Sequence, residues 1–495
     1  MNKKITCLIL SAMMLAASLV SCADNSEPDP KETSGSVVTE TPADVPEFED
    51  RDFDGEEFKF LIYGSTATDF TDNYIWSDGV SGGTVPDAVM DRNRAVEEKY
   101  NVTITAEECG PIGEAVKRMQ AGQCDFEVIY EWGSRLVDSA LDGMLFDFLD
   151  LDHISLNSSY WVSGIADNLT IGDHLYINTN FITMNPLSWA DCTFFNKNMM
   201  EELNYEYPYQ LVYNNNWTYD EYLNMVYGAT ADLNGDGKMT VDDRYGKFGS
   251  MQGVLTSIVG SVAPDLVKDN GDGTYSVQLY NEAMVATYQK YANTIKTHED
   301  CALDFEDIWS SGVDLSAFSS KHVGGRFVAF GESHCLFMGG SIDMTKEFEN
   351  MDDDYGILPD PVLNPGDAFS AGIDYNAPMF ALPIQLTDEE ADMVGVVLEY
   401  MAYESEQIVL PAYYTTTVKT QRMDSQEDYD MLDIIRGNIN YSWTGLYLKN
   451  TDIGGVRNDM CASGNFNSVA RRMESKCQGQ LDTVIEEIYN IDNMK

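Results

Sequence analysis

Three features of this chain predict an α/β fold in which strands alternate with helices around a parallel sheet. Behind a polar stretch, apolar positions switch between a period of two and a period near 3.6. Gly, Pro, Asn and Asp punctuate the chain between these runs. With 495 residues, 44% hydrophobic and 11% aromatic, the chain can also build a sizeable core in two or more folding units.

The elements follow in order. Lys3 and Lys4 precede an apolar run from Ile5 to Val20, the pattern of an export signal spanning 1–21. The run ends Leu19-Val20-Ser21-Cys22, which resembles the bacterial lipobox. That resemblance implies a lipoprotein in which Cys22 carries fatty acyl chains such as palmitate. From Ala23 to Asp50 the composition is Pro, Ser, Thr, Asp and Glu with few large apolar groups, too little to offset the entropy of ordering. Residues 22–50 therefore read as an anchored, disordered stalk, and the expected location is the extracellular face of the cell membrane, held by lipid. No later run is long and apolar enough to span a bilayer.

Phe58 to Tyr63 reads as a first strand, followed by a Gly/Ser/Thr/Asp-rich loop. Pro86 opens a helix with Ala88, Val89, Ala95, Val96 and Tyr100 on one face, and proline suits a first helical turn. Asn101–Thr105 is a second strand, Pro111 opens a second helix with Ile112, Ala115, Val116 and Met119 inward, and Phe126–Tyr130 is a third strand. Such alternation implies parallel pairing. Asp269–Gly273 before the alternating run Thr274–Leu279 predicts a hairpin turn. Thr218 and Glu221 have the spacing of a capping box.

Longer segments resemble the family 1 extracellular solute-binding proteins, the maltose-binding-protein-like receptors of ABC importers. The strand–helix order up to Glu131-Trp132-Gly133 is similar to that family's beginning. Leu141 to Phe148, Ile171 to Tyr176, Phe194 to Met200, Asn216 to Tyr222 and Tyr355 to Pro359 resemble its later motifs in the same order. The resemblance implies a two-lobe, periplasmic-binding-protein-like fold with a hinge of three crossings, near Ile177–Pro186, Phe327–Gly340 and Ala381–Leu386, and a ligand cleft between the lobes. It places 51–178 and 336–383 in the first lobe and 179–335 and 384–495 in the second. It further implies a small-molecule solute, for which a sugar is the expectation, ABC permease subunits as membrane partners, and a monomer that is not an enzyme.

The formal net charge of −52 repels phosphate backbones and excludes a nucleic-acid partner; it favours a neutral or cationic solute. Of nine cysteines, seven remain once Cys7 leaves with the signal and Cys22 is acylated. Their odd number and wide spacing point to core thiols and leave any disulfide pairing open.

The most specific local motif runs from Asp232 to Asp243. Asp232, Asn234, Asp236, Lys238 through its carbonyl, Thr240 and Asp243 occupy the EF-hand ligand positions around Gly237, predicting a structural calcium ion and no organic cofactor. Asp243 stands where glutamate is usual, which predicts weak affinity.

Sugar recognition needs apolar ring faces beside carboxylates, amides and arginine, brought together by loops at strand ends. That rule selects Tyr63, Glu131, Trp132 and Arg135. The resemblance adds Trp189, Asp191, Met338, Gly339 and Asp374, and Trp443 is a further aromatic candidate. Trp217 and Trp309 read as core. There is no nucleophile elbow, HExxH, P-loop or dinucleotide glycine motif. Among so many acids, the paired carboxylates of a secreted carbohydrate-active enzyme remain an alternative, as does a surface adhesion or scaffold role.

Overall fold

The computed structural model describes residues 46–63, 74–77, 82–420 and 425–491. The leader, Cys22 and nearly all of the stalk lie outside the described residues. The chain divides after Glu47, and the elements below belong to the unit that starts at Phe48.

In chain order the strands are β1 (Glu56–Tyr63), β2 (Val102–Cys109), β3 (Val128–Trp132) and β4 (Leu145–Phe146). Next come β5 (Asp191–Asn196), β6 (Tyr245–Phe248), β7 (Val267–Asp269), β8 (Tyr275–Val277), β9 (Ala302–Leu303), β10 (Cys335–Ser341) and β11 (Tyr355–Leu358). The last are β12 (Ala371–Gly372), β13 (Pro378–Pro383) and β14 (Ile439–Asn440). One sheet has the order β2-β1-β3-β13-β4 and a second the order β11-β5-β10-β6-β9, so each lobe has its own sheet.

The first sheet begins as the alternation predicts. Phe58, Phe60, Leu61 and Ile62 are buried on both faces of β1, the habit of a strand covered by helices on each side. β1 pairs in parallel with β2 and β3 through right-sized helical connections, Thr84–Tyr100 and Pro111–Ala121. Asn101 ends the first helix in the left-handed region at φ 51°, and Pro111 occupies the first turn of the second. The sheet is mixed, however, because β13 returns antiparallel to β3 and pairs antiparallel with β4. The second sheet is mixed as well: β10 runs antiparallel to β5 and parallel to β6. The predicted hairpin forms from β7 and β8.

The lobe boundaries differ from those implied by family position. Segment 336–358 was assigned to the first lobe, yet β10 is the central strand of the second sheet and β11 its edge. The helix Asp388–Glu404, assigned to the second lobe, packs on the Thr84–Tyr100 helix of the first. The crossings shift accordingly. The first runs through 177–190, as expected, the second runs through 359–377, and the third lies between the helix Leu410–Thr420, packed on Thr84–Tyr100, and the helix Gln426–Arg436, packed on β11, rather than at Phe327–Gly340 and Ala381–Leu386. Fully buried apolar strands carry no mark of which sheet they join, and pairing alone decides it. Ile171–Tyr176 forms only an isolated bridge between Ile171 and His174.

The first crossing is tied to the first lobe by Arg92, which is fully buried. Its guanidinium donates to the carbonyls of Tyr74, Ile75 and Ile182, to Ser405 Oγ and to Asn93 Oδ1 at 2.7–3.0 Å. Burial with neutral acceptors lowers its pKa to about 9. Asn178 exchanges backbone hydrogen bonds with Phe380, joining the first crossing to β13. Cys109 and Cys124 are half-buried, and Cys192, Cys301, Cys335, Cys461 and Cys477 are buried; all seven are free thiols. Trp217 is core, its indole N–H donating to the Pro359 carbonyl at 2.9 Å, whereas Trp309 is half-buried under the Lys321 ammonium.

Candidate functional site

Gly133 sets the geometry of the first lobe's edge. A Cβ there would lie 2.8 Å from Met379 Sδ and 3.3 Å from the Ala377 carbonyl, so only glycine lets the helix Gly133–Leu141 start flush against β13. The tight turn leaves Trp132 at the strand end and Arg135 in the first helical turn. Trp132 meets Tyr63, at the end of β1, edge to face at 5.9 Å. The Arg135 guanidinium stands over both rings, 5.2 Å from Tyr63 and 5.8 Å from Trp132.

Glu131 is buried and turned inward. It accepts the Trp132 backbone N–H at 2.9 Å and lies 3.5 Å from Arg135 Nη1, while burial raises its pKa. It positions its neighbours and has no surface for a ligand, which corrects its selection as a contact.

The second lobe meets this edge through Trp189, whose ring lies 5.9 Å from that of Trp132 at 80°. The two indoles thus form a corner rather than a parallel slot. Trp132 Nε1–H is sheltered and has no acceptor among the described residues. Beyond Trp189, Ala190 bridges to Ile373, which brings the Asp374 loop alongside β5. Asp191 pairs with Ser341 and Thr193 with Gly339, so the start of β5 and the end of β10 share one rim. Asp360, just past β11, accepts the Thr193 hydroxyl at 2.6 Å.

Asp191 is exposed to solvent at the start of β5, with Gly372 close against its carboxyl. Desolvation, with the carboxylates of Asp360 and Asp374 nearby, pushes its pKa up to about 8. Burial also raises Asp360, against the opposing Thr193 hydrogen bond. The upward shift favours a protonated Asp191 carboxyl, which could both donate to and accept from a hydroxyl.

Tyr63, Trp132, Arg135, Trp189, Asp191, Gly339 and Asp374 thus converge where β3 ends and β5 begins. A Cβ on Gly339 would meet nothing within 4 Å, consistent with an open rim. Besides the inward-turned Glu131, two further candidates do not join them. Met338 is fully buried between its β5 and β6 partners, because side chains alternate along β10 and its neighbour Gly339 takes the open position. Trp443 packs on Tyr275 at 5.4 Å and lines a different depression. Asp360 and Thr193 were missed by sequence reasoning. The Pro359-Asp360-Pro361 run directly after the Tyr355–Pro359 motif was the available signal for the acid.

The loop from Asp232 to Asp243 is folded by its own side chains. Asp232 accepts the amides of Gly235 and Gly237, Asn234 that of Asp236, Asp236 that of Lys238, and Asp243 those of Leu233 and Thr240, at 2.7–2.9 Å. Gly237 has φ 81°, the left-handed turn its position requires. Among the described residues no three His, Cys, Asp or Glu side chains converge as a metal cluster. Oxygen ligands from Asn234, the Lys238 carbonyl and Thr240 would have to complete any site here.

Among the described residues no helix is long and apolar enough to cross a membrane. No family model matches the chain, and no curated protein matches it in sequence. Solved structures do match in fold. The sugar-binding protein MalE from the phytopathogen Xanthomonas citri superposes with a TM-score of 0.53 at 12% identity, over 89% of this chain and 100% of its own. An apo-form of RafE from Streptococcus pneumoniae gives 0.51 at 13% identity, over 85% and 97%. An ABC substrate-binding protein from Listeria monocytogenes, in complex with cycloalternan, gives 0.50 at 11% identity, over 87% and 100%. The chain has the two-lobe α/β fold of the MalE-like binding proteins, and at that level the resemblance read from its motifs holds.

Proposed function

We propose that this chain is the extracellular solute-binding receptor of an ABC importer, capturing a neutral carbohydrate between its lobes and passing it to membrane permease subunits. The observation that carries the reading is the convergence of Tyr63, Trp132 and Trp189 with Arg135 and the Asp191–Asp360–Asp374 carboxyls at the junction of the two lobes. Ring faces offer apolar surface to pyranose C–H groups, and the protonated Asp191 and the sheltered Trp132 N–H offer hydrogen bonds to hydroxyls. Similar folds include a MalE described as sugar-binding and a receptor holding cycloalternan. A thermal-shift screen of the full chain against sugars, peptides and polyamines tests it. A ligand at about 100 times its Kd adds roughly 2.7 kcal/mol of stability, and a screen in which only peptides stabilise would overturn the carbohydrate reading.

The elevated Asp191 pKa beside two further carboxyls is also what a glycosidase acid requires, so turnover of the stabilising sugar is the discriminating assay. The receptor reading predicts binding without hydrolysis. It also includes acylation at Cys22 and tethering at the outer membrane face by the 22–50 stalk. Labelling with radioactive fatty acid in a bacterial host should mark the native chain and not Cys22→Ala; equal labelling would remove the anchor.

Calcium at the Asp232–Asp243 loop belongs to the same proposal as a structural ion. Asp232, Asn234, Asp236, Thr240 and Asp243, with the Lys238 carbonyl, would hold it, and it would lock the loop rather than take part in capture.

A further inference from the structure

The tetrapeptide Asn-Gly-Asp-Gly occurs twice in the chain, at 234–237 in the Asp232–Asp243 loop and at 270–273 in the turn between β7 and β8. Both asparagines are exposed, and Gly235 and Gly271 share the left-handed backbone at φ 71° and 76°. In each copy the glycine amide donates to an aspartate at 2.7 Å, Gly235 to Asp232 Oδ1 and Gly271 to Asp269 Oδ1. Local sequence and glycine geometry therefore match, and what separates the two asparagines is the hold on their side-chain amides.

Asn270 is clamped at both ends of its amide. Its Nδ2 donates to Thr274 Oγ1 and its Oδ1 accepts from the Ser276 hydroxyl, each at 3.1 Å, while its backbone N–H donates to the Thr274 carbonyl at 3.0 Å across the hairpin. Asn234 Oδ1 accepts the Asp236 amide at 2.8 Å, and Asn234 Nδ2 has no partner among the described residues. A donor at the carbonyl oxygen, present in both copies, stabilises the negative charge that forms there when the amide carbon is attacked. Only at Asn234 is the nitrogen free to depart. The glycine that follows has no Cβ to obstruct the attack.

We propose that Asn234 is a self-modification site of the folded chain, deamidating through Gly235 while Asn270 is protected. The Gly235 main-chain nitrogen bonds to Asn234 Cγ and closes a succinimide ring. The Cγ–Nδ2 bond breaks, and the nitrogen leaves as ammonia with the proton that the Gly235 amide gives up. Water then opens the ring at either carbonyl to give aspartate or isoaspartate, so amide and water become acid and ammonia with no change of oxidation state. Either product adds a negative charge beside Asp232, Asp236 and Asp243. Isoaspartate also lengthens the main chain inside the turn in which Asp232 accepts the amides of both Gly235 and Gly237. The reaction needs neither a bound solute nor a bound ion.

The test is incubation of the full chain at mildly alkaline pH in chelator, folded and in urea, with deamidation and isoaspartate at both sites followed by peptide mass mapping. In the folded chain Asn234 should convert about tenfold faster than Asn270, which must first break its bonds to Thr274. In urea the two rates should converge. Thr274→Val should speed the conversion of Asn270 and leave that of Asn234 unchanged, and Asn234→Gln should remove most of the ammonia that the folded chain releases. The proposal is overturned if the two sites convert equally in the folded chain, if Asn270 converts faster, if Asn234 stays intact there, or if the rates remain as far apart in urea.

Discussion

Asp191 shows how a single residue can report on the site before any ligand is known. Its pKa of about 8 lies above the ordinary carboxylate range because burial and two neighbouring acids disfavour the charge. Between the two values the folded chain keeps a proton that the unfolded chain has lost. Stability then falls as pH rises through that window, and the favourable contribution is fully present only below it. The melting temperature of Asp191→Asn should accordingly depend less steeply on pH between about 4 and 8 than that of the native chain. Parallel slopes for the two proteins would show that Asp191 ionises normally. Trp132 was legible from its place after a strand, and so were Tyr63 and Arg135. Glu131 was read at the right place with the wrong role, since one residue along a strand separates a side chain facing the cleft from one facing the core. The same alternation hid Met338 and favoured Gly339.

At the scale of elements, the Asp232–Asp243 loop and the Arg92 clamp make contrasting predictions. Calcium at millimolar concentration should raise the melting temperature over that in chelator, and Asp232→Ala should abolish the increment while the chain still folds. No response to the ion in the native chain would remove the calcium proposal and leave the amide hydrogen bonds alone to hold the loop. Arg92→Met should destabilise by about 2–4 kcal/mol, because the carbonyls of Tyr74, Ile75 and Ile182 lose a donor in the interior. Chemical denaturation measures it, and a change below about 0.5 kcal/mol would place the variant among ordinary surface substitutions and contradict the clamp. The first three strands, their helices and the β7–β8 hairpin were legible because each carries a period and a terminator. The lobe membership of β10, β11 and the Asp388–Glu404 helix was not, since continuous apolar runs look alike whichever sheet they complete. Arg92 was equally invisible, as its acceptors are backbone carbonyls from two distant segments and the Ser405 hydroxyl from a third.

For the whole molecule, two sheets are joined by crossings such as the largely buried segment 177–190, and a solute touching both lobes would favour a closed arrangement over an open one. Capture in the proposed receptor would depend on groups from both sides of the junction, Trp132 and Tyr63 from the first sheet, and Trp189 from the first crossing with Asp191 from the second sheet. In the proposed receptor the strong negative charge would steer the choice of solute away from anions, and the raised pKa of Asp191 would lower the charge at the junction itself. The most direct measurement is calorimetric titration of the native chain and Trp132→Ala with the neutral sugar that most stabilises the native chain, alongside the melting temperature of each protein without ligand. The receptor account predicts that Trp132→Ala loses about 1–3 kcal/mol of binding free energy while its ligand-free melting temperature stays close to native. A variant that binds the sugar normally but has lost roughly 3–5 kcal/mol of ligand-free stability would make Trp132 a packing residue and contradict the account.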